Sequence, residues 1–387
     1  MDACDVLIVG GGPAGASCAW ALRHSGLDVA ILDKQTFPRD KVCGGWITPA
    51  VLYELEIDRT DYARGRVFQP ITAFRTGCIG GSALETDYGE PASFGIRRRE
   101  FDDYLLKRCG ARLLPPAKLS TLERAGDGWI VNGGVRARLV VGAGGHFCPV
   151  AKLTGAKPGR ENAVVAQEAE FEMDAAQQAA CPVRPEMPEL YFCRDMKGYG
   201  WCFRKGNFLN AGLGRMDPHR LSEHVAGFLK FLKDTGRVPF DIPTPLGHAY
   251  LLYGVSERKV CADGVLLIGD SAGLAYKQSG EGIRPAIESG LLAARVILAA
   301  QGDYSVQALQ PYRGALAARF GISGSDPASR LGAHLPSSWT GALGRLLLAR
   351  PWFVRKFVIE RWFLHTGEAP LAPDRQVLAA EVQRQLA

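Results

Sequence analysis

The run Gly10-Gly11-Gly12-Pro13-Ala14-Gly15 constrains this 387-residue chain more than any other stretch, because of what flanks it. Ahead of it stands DVLIVG, Asp5 to Gly10, a short apolar run rich in β-branched residues. Behind it come an Ala-rich helical stretch from Pro13 to Ser25 and then LDVAILDK, residues 27 to 34, a second strand of buried type. Strand, turn, helix, strand is a βαβ unit, which demands a parallel sheet with a right-handed crossover. The fold class is therefore α/β, Rossmann-like.

Each glycine in the turn has a separate task. Gly10 permits the tight bend, Gly12 removes a side chain that would block a pyrophosphate, and Gly15 lets helix and strand approach closely. Pro13 and Ala14 open a helix whose free N–H groups and partial positive charge face the phosphates. Asp33 ends the second strand about 20 residues on, placed to accept hydrogen bonds from ribose hydroxyls, with Lys34 beside it. The pattern predicts that the AMP half of a dinucleotide is held here.

The length suggests two or three units. Residues 60–95 and 162–255 contain short alternating runs such as AVVAQEAEFEM and NFLNAGLG, broken by Gly and Pro, which suggest an antiparallel sheet. REFDDYLLKRCG reads as a helix ending at Gly110, and segments around Leu119–Leu122 and Trp129–Val131 as a hairpin before the strand RLVVGAGG. The first domain resumes at GVLLIGDSAG, residues 264–273, ahead of a long helix from about Gly282 to Gln301. The expected organisation is a discontinuous nucleotide-binding domain (1–60, 95–160, 256–303), an interleaved antiparallel-sheet substrate domain (61–94, 161–255), and a C-terminal helical region (304–387).

A net charge of +6 with scattered basic residues argues against a nucleic-acid partner. The start of the chain shows no basic segment, apolar stretch or cleavage site, so a cytoplasmic location is expected. Ten cysteines without a CxxC pair or metal spacing read as reduced thiols, with no metal. The seven histidines, including His146 and His248, form no ligand or triad pattern and read as structural or exposed. In the segment 344–365, charges every few residues exclude a membrane-spanning helix. It reads as a helix that packs its apolar face on the body of the protein or lies on a membrane surface, with Pro351 starting or kinking it.

Downstream motifs carry a resemblance that specifies the dinucleotide. VLLIGDSAG followed by GEGI, together with RRREFDDYL, FPRDKVCGGW and GYGWCFRKGN, resembles the flavoprotein family that contains geranylgeranyl reductases and, more distantly, aromatic hydroxylases and flavin-dependent halogenases. The likeness covers most of residues 4 to 300 and implies FAD. It implies Asp270, after Gly269, on the ribityl chain, and Gly280 and Gly282 bringing a helix N-terminus, beginning at Ile283, close to the flavin ring, where it can stabilise negative charge. It points to Arg98 as a cofactor contact, leaving Arg97 and Arg99 for solvent, and Leu119 completes the cofactor set.

Cys43, Gly44 and Gly45 would meet the flavin ring, with backbone against its face and Cys43 as a proton donor or an inert buried thiol. Tyr199, Trp201 and Phe203 alternate on a strand and share one face, as an apolar substrate wall or as sheet core. Arg204 stands where the reductase branch carries proline. Gly144 stands where the hydroxylases carry an Asp, and the W-x-W-x-I-P signature of halogenases is missing.

The leading expectation is an FAD-dependent reductase of a carbon–carbon double bond in an apolar, isoprenoid-like substrate. The alternatives are a monooxygenase acting on a hydrophobic aromatic or polyketide-like compound, and a flavin electron carrier without its own substrate. No second strand-linked G-x-G-x-x-G appears, so electrons would come from transiently docked NAD(P)H or from a partner redox protein.

Overall fold

A computed structural model of the chain describes residues 1–157, 159, 161, 163–217, 219–255, 258–321 and 337–371. The opening βαβ unit forms from Asp2–Val9, the helix Pro13–Leu22 and Val29–Leu32, with the two strands in parallel register, Val6 opposite Val29. The helix stops three residues short of the expected Ser25. There the Ser25 hydroxyl donates to the Leu22 carbonyl at 2.7 Å and Gly26 turns at φ +79°, which ends the helical ladder.

Further parallel strands extend this sheet in the order Cys261–Ala262, Val265–Leu267, Val135–Gly142, Asp2–Val9, Val29–Leu32 and Arg112–Leu113, the outermost Cys261–Ala262 alone being antiparallel to its neighbour. The hairpin expected from Leu119–Leu122 and Trp129–Val131 forms with its first strand shifted three residues on, Leu122–Ala125 with Gly128–Val131, and pairs onto the start of Val135–Gly142. Val6, Leu7 and Ile8 are wholly buried, as strands covered on both faces must be. The long helix runs from Ile283 to Ala299 and crosses Pro13–Leu22 so closely that a Cβ on Gly290 would stand 2.4 Å from the Ala14 carbonyl oxygen.

The second sheet has seven strands, in the order Leu246–Leu251, Ala163–Glu172, Phe208–Arg215, Gly198–Lys205, Glu189–Phe192, Ala73–Cys78 and Ala83–Asp87. All neighbours are antiparallel except Glu189–Phe192 with Ala73–Cys78, which run parallel. Arg204 sits in regular ladder opposite Leu209, so the replacement of proline leaves this strand unbroken. A small sheet of Trp46–Ile47, Ser93–Ile96 and Phe68–Ile71 joins the two larger ones.

The C-terminal region is helical where described: Val306–Leu309, Pro311–Phe320, Ser337–Leu348, then Pro351–Phe353 continuing into a wide π-type helix, Val354–Phe363. Pro351 starts a helix, at the first-turn position where its missing N–H costs nothing. Leu348, Val354, Val358, Ile359, Phe363 and Leu364 bury themselves against Ile71, Phe74, Leu190 and Phe192, so the apolar face packs on the body of the protein. Among the described residues no helix is long and apolar enough to cross a membrane. The remainder of the expected C-terminal region, 322–336 and 372–387, lies outside the described residues.

Candidate active site

The strand Asp2–Val9 delivers the glycine turn to one edge of the parallel sheet. Gly10 sits at φ +118°, and a Cβ on Gly15 would stand 2.0 Å from the Gly10 carbonyl oxygen, so neither position admits a side chain. The helix begins at Pro13, and its first N–H groups lack helical acceptors. Asp33 accepts the Gly11 N–H at 2.8 Å and the Gln35 N–H at 2.9 Å, which pins the turn while leaving about half of the carboxylate's four lone-pair sites open. Lys34 is exposed next to it, and Leu119 is buried in the core.

Cations gather beside this helix N-terminus. Arg98 is buried and binds Asp102 with two bonds of 2.7 and 2.8 Å, and Arg39 reaches the same carboxylate at 3.3 Å. The Arg39 guanidinium also lies 3.3 Å from where a Cβ on Gly12 would be. Two guanidinium groups thus share one carboxylate, with the Lys41 ammonium close by. Arg97 and Arg99 differ: Arg99 is surface-exposed near Asp40, whereas Arg97 is not left to solvent, since it pairs with Glu100 at 3.0 Å and Glu170 at 3.4 Å and covers the Phe208 ring.

Three segments remote in sequence converge on the other side of Arg98. The turn Gly269–Ser271 brings in Asp270, whose carboxyl is pushed up by burial and pulled down by Lys41 and Arg98. Asp270 Oδ1 lies 3.2 Å from the Cβ position of Gly282, the N-cap of the long helix. Gly280, at φ +69°, has the Tyr250 ring packed where a side chain would go. The Gly45 N–H donates to Cys43 Sγ at 3.5 Å, and Arg98 also faces that thiol. Negative charge on Cys43 sulfur therefore meets a guanidinium and an amide. Gly44 faces Phe203 and Trp201, with its Cβ position 3.7 and 3.9 Å from them.

The strand register explains this wall. Tyr199, Trp201, Phe203 and Lys205 share one face with Asn210, Gly212 and Gly214, and with Glu168, Glu170, His248 and Tyr250 across the sheet. The Tyr199 hydroxyl donates to the Ser279 carbonyl, and its ring lies 5.9 Å from Trp201 and 5.2 Å, edge-on, from Phe363. Trp46 is stacked between Phe74 and Phe363 at 5.3 and 5.5 Å. A cleft of about 80 Å³ opens beside Tyr199, Tyr250 and Gly280, lined by Val164, Phe192 and Leu252 with Lys197 and Lys277.

Residues 5–85 match the model of the FAD dependent oxidoreductase family. The chain is 30% identical over 330 residues to a menaquinone reductase of Mycobacterium tuberculosis, covering 76% of this chain and 77% of that one. The chain belongs to the geranylgeranyl reductase-like family of FAD-dependent oxidoreductases. A digeranylgeranylglycerophospholipid reductase of Methanocaldococcus jannaschii is 26% identical over 333 residues, 80% of this chain and 81% of that one. The solved geranylgeranyl bacteriochlorophyll reductase-like structure from Thermoplasma acidophilum shares the fold, with TM-score 0.76 at 22% identity, over 94% of this chain and 97% of that one.

FAD fits the residues this family enzyme presents. The surplus of guanidinium over carboxylate at Arg39, Arg98 and Asp102, set at a helix N-terminus above side-chain-free Gly12, matches a diphosphate. Gly44, whose backbone lies against Phe203 and Trp201, and the Gly282 N-cap beside Asp270 present backbone without side chains to a ring system. Several residues of the oxidoreductase site escape sequence reasoning. His248, read as structural or exposed, accepts a hydrogen bond from Lys41 at 3.0 Å, and burial with Lys41 pushes its ring down to about 3, so it stays neutral. Lys205 has no exposed side-chain surface; it donates to the Gly44 carbonyl at 2.9 Å, to the Ile96 carbonyl at 3.0 Å and to Glu170. His365 stacks on Tyr276 at 3.7 Å, close behind Glu281.

Proposed function

We propose that this oxidoreductase saturates carbon–carbon double bonds in an isoprenoid-type chain, with Cys43 as proton donor. The observation that carries this reading is the meeting of Cys43-Gly44-Gly45 with the Tyr199, Trp201 and Phe203 face, beside a cleft that Tyr199 and Gly280 line together with apolar Val164, Phe192 and Leu252. The similarity to a menaquinone reductase and to a digeranylgeranylglycerophospholipid reductase agrees with it.

Gly10, Gly12, Pro13, Ala14 and Gly15 with Arg98 would hold the diphosphate of FAD, Asp33 and Lys34 the adenosine side beside Leu119, and Gly269 with Asp270 the ribityl chain. The Gly280–Ile283 helix start would lie against the ring. Bound and reduced FAD supplies two electrons and one hydrogen to the double bond. The protein orients an apolar chain along Tyr199, Trp201 and Phe203, excludes water there, and gives a proton from Cys43, whose sulfur then sits beside Arg98 and the Gly45 N–H. Electrons would be renewed by transiently docked NAD(P)H or by a redox protein. We place the enzyme in the cytoplasm at a membrane surface, where exposed Leu343, Leu346 and Trp352, flanked by Arg345 and Arg350, would touch lipid.

The test is anaerobic incubation of the FAD-loaded enzyme with dithionite and a geranylgeranyl-bearing glycerophospholipid, followed by mass spectrometry. Gain of two hydrogens per double bond is expected. No gain without oxygen, but insertion of one oxygen atom in air, would move the enzyme to the monooxygenase class.

A further inference from the structure

Two carboxylates, Glu168 and Glu170, stand two residues apart on the strand Ala163–Glu172, on the face that looks toward Cys43. They are treated differently. Glu170 is fully engaged, bonded to Lys205, to Arg97 at 3.4 Å and to the Asn210 amide at 3.2 Å. Glu168 is only 5% exposed and, among the described residues, forms no ion pair; it faces the backbone N–H of Cys43 and the side chain of Asn210. An acid buried without a cation is costly unless it has a use or keeps its proton.

The neighbourhood is built to hold it there. Opposite Glu168 in register is Gly212, where a Cβ would stand 2.5 Å from the Glu168 Cβ and 2.6 Å from Trp201 Cζ2. Asn210 accepts the Trp201 indole N–H at 2.7 Å and donates to the Cys43 carbonyl at 3.4 Å. Asn210 therefore holds Cys43 at its carbonyl, and Glu168 faces the Cys43 backbone from the neighbouring position on the same sheet face. The Glu168 carboxyl and the Cys43 thiol thus belong to one buried neighbourhood, in which a proton can pass directly or through one water.

We infer that Glu168 is the proton reserve of the reduction, a residue that acts through Cys43 by restoring its thiol after each turnover. This rests on the reading of Cys43 as proton donor. Saturating one double bond takes two electrons and one hydrogen from the reduced cofactor, which forms the first C–H bond as the π bond breaks. The second carbon takes the proton of the Cys43 S–H and leaves a thiolate. The Glu168 O–H proton then moves to sulfur, leaving a carboxylate that solvent reprotonates. The cofactor is oxidised, the alkene is reduced, and the protein returns to its starting state.

Glu168 is equipped to carry that proton. Burial pushes its carboxyl up to about 7, with Glu170 adding to the rise and Lys205 opposing it. The other titratable groups on this face are Tyr199 on the Gly198–Lys205 strand, His248 and Tyr250 on the Leu246–Leu251 strand, and Cys43 itself; burial holds His248 neutral and both tyrosines protonated.

The experiment compares wild type with Glu168→Gln, whose amide keeps the size of the side chain and an acceptor for the Cys43 N–H but holds no acid. One readout is the rate of Cys43 alkylation by iodoacetamide against pH, followed at the peptide level in the FAD-loaded enzyme. In wild type the rise in rate should flatten near pH 7, because ionised Glu168 disfavours a neighbouring thiolate. Glu168→Gln should lack that inflection and react several-fold faster at alkaline pH. The second readout is turnover, expected to fall about 10- to 100-fold with loss of the limb near neutrality.

Identical alkylation profiles and equal turnover in a wild type that does reduce the lipid would overturn the role of Glu168 alone. A wild type that adds no hydrogens would overturn the reduction reading and this inference with it. Should Glu168→Gln not retain FAD, Glu168→Asp decides by the same two readouts. Slowed turnover with a shifted inflection supports the role, and wild-type behaviour refutes it.

Discussion

Gly45 shows how much the site depends on missing side chains. It sits at φ +67°, and a Cβ there would stand 2.2 Å from the Ile96 carbonyl oxygen and 2.8 Å from Lys205 Nζ. Gly45→Ala must strain the backbone and push away the lysine that holds the Gly44 carbonyl. A loss of roughly 2–4 kcal/mol is expected, read as a lower Tm together with less flavin per chain after purification. Gly10 and Gly15 were legible in sequence because backbone packed against them leaves no alternative residue. Lys41, Glu168, Asn210 and His248 were not, since each is a lone polar residue until pairing brings strands some 40 to 207 positions apart onto one face. One signal was present: Glu168 and Glu170 alternate with apolar residues in AVVAQEAEFEM, so two charges had to point to the same side of a buried strand.

Among the elements, the C-terminal helices change most between expectation and structure. Their amphipathic pattern was readable, but their docking site was not, because Phe363 meets residues from the start and middle of the chain. It stacks on Trp46 and stands edge-on to Tyr199, so the helix backs the aromatic wall of the cleft. Phe363→Ala should cost about 3–5 kcal/mol in thermal unfolding and raise KM for the lipid more than it lowers kcat, as the wall loosens. The segment that follows is tied by charge. Burial raises the Glu368 carboxyl, but its bonds to His365 and to the Tyr276 hydroxyl, the latter 2.7 Å, outweigh this and hold it below the usual range. A depressed carboxyl stabilises the fold above its unfolded pKa, about 4.3, and loses that contribution as pH falls. The Tm gap between wild type and Glu368→Gln should therefore be full near neutrality and should close on acidification below about pH 4.

At the scale of the whole molecule, the parallel sheet carries the glycine turn at the end of a central strand, the seven-stranded sheet carries the Tyr199–Trp201–Phe203 face, and the Cys43-Gly44 backbone meets that face. The α/β class, the interleaving of the two sheets and the glycine turn followed from hydrophobic periodicity and spacing, which are local properties. The parallel pairing of Glu189–Phe192 with Ala73–Cys78 did not, because nothing local to either strand encodes a partner more than 100 residues away. On the proposed function, the reduced cofactor would pass its electrons to an isoprenoid double bond beside this cleft without oxygen. The most direct measurement is an anaerobic single turnover, with the FAD-loaded enzyme bleached by one equivalent of dithionite and then mixed with a geranylgeranyl-bearing lipid. The yellow absorbance should return under strictly anaerobic conditions, with one double bond saturated per flavin. Persistent bleaching until air is admitted would contradict it.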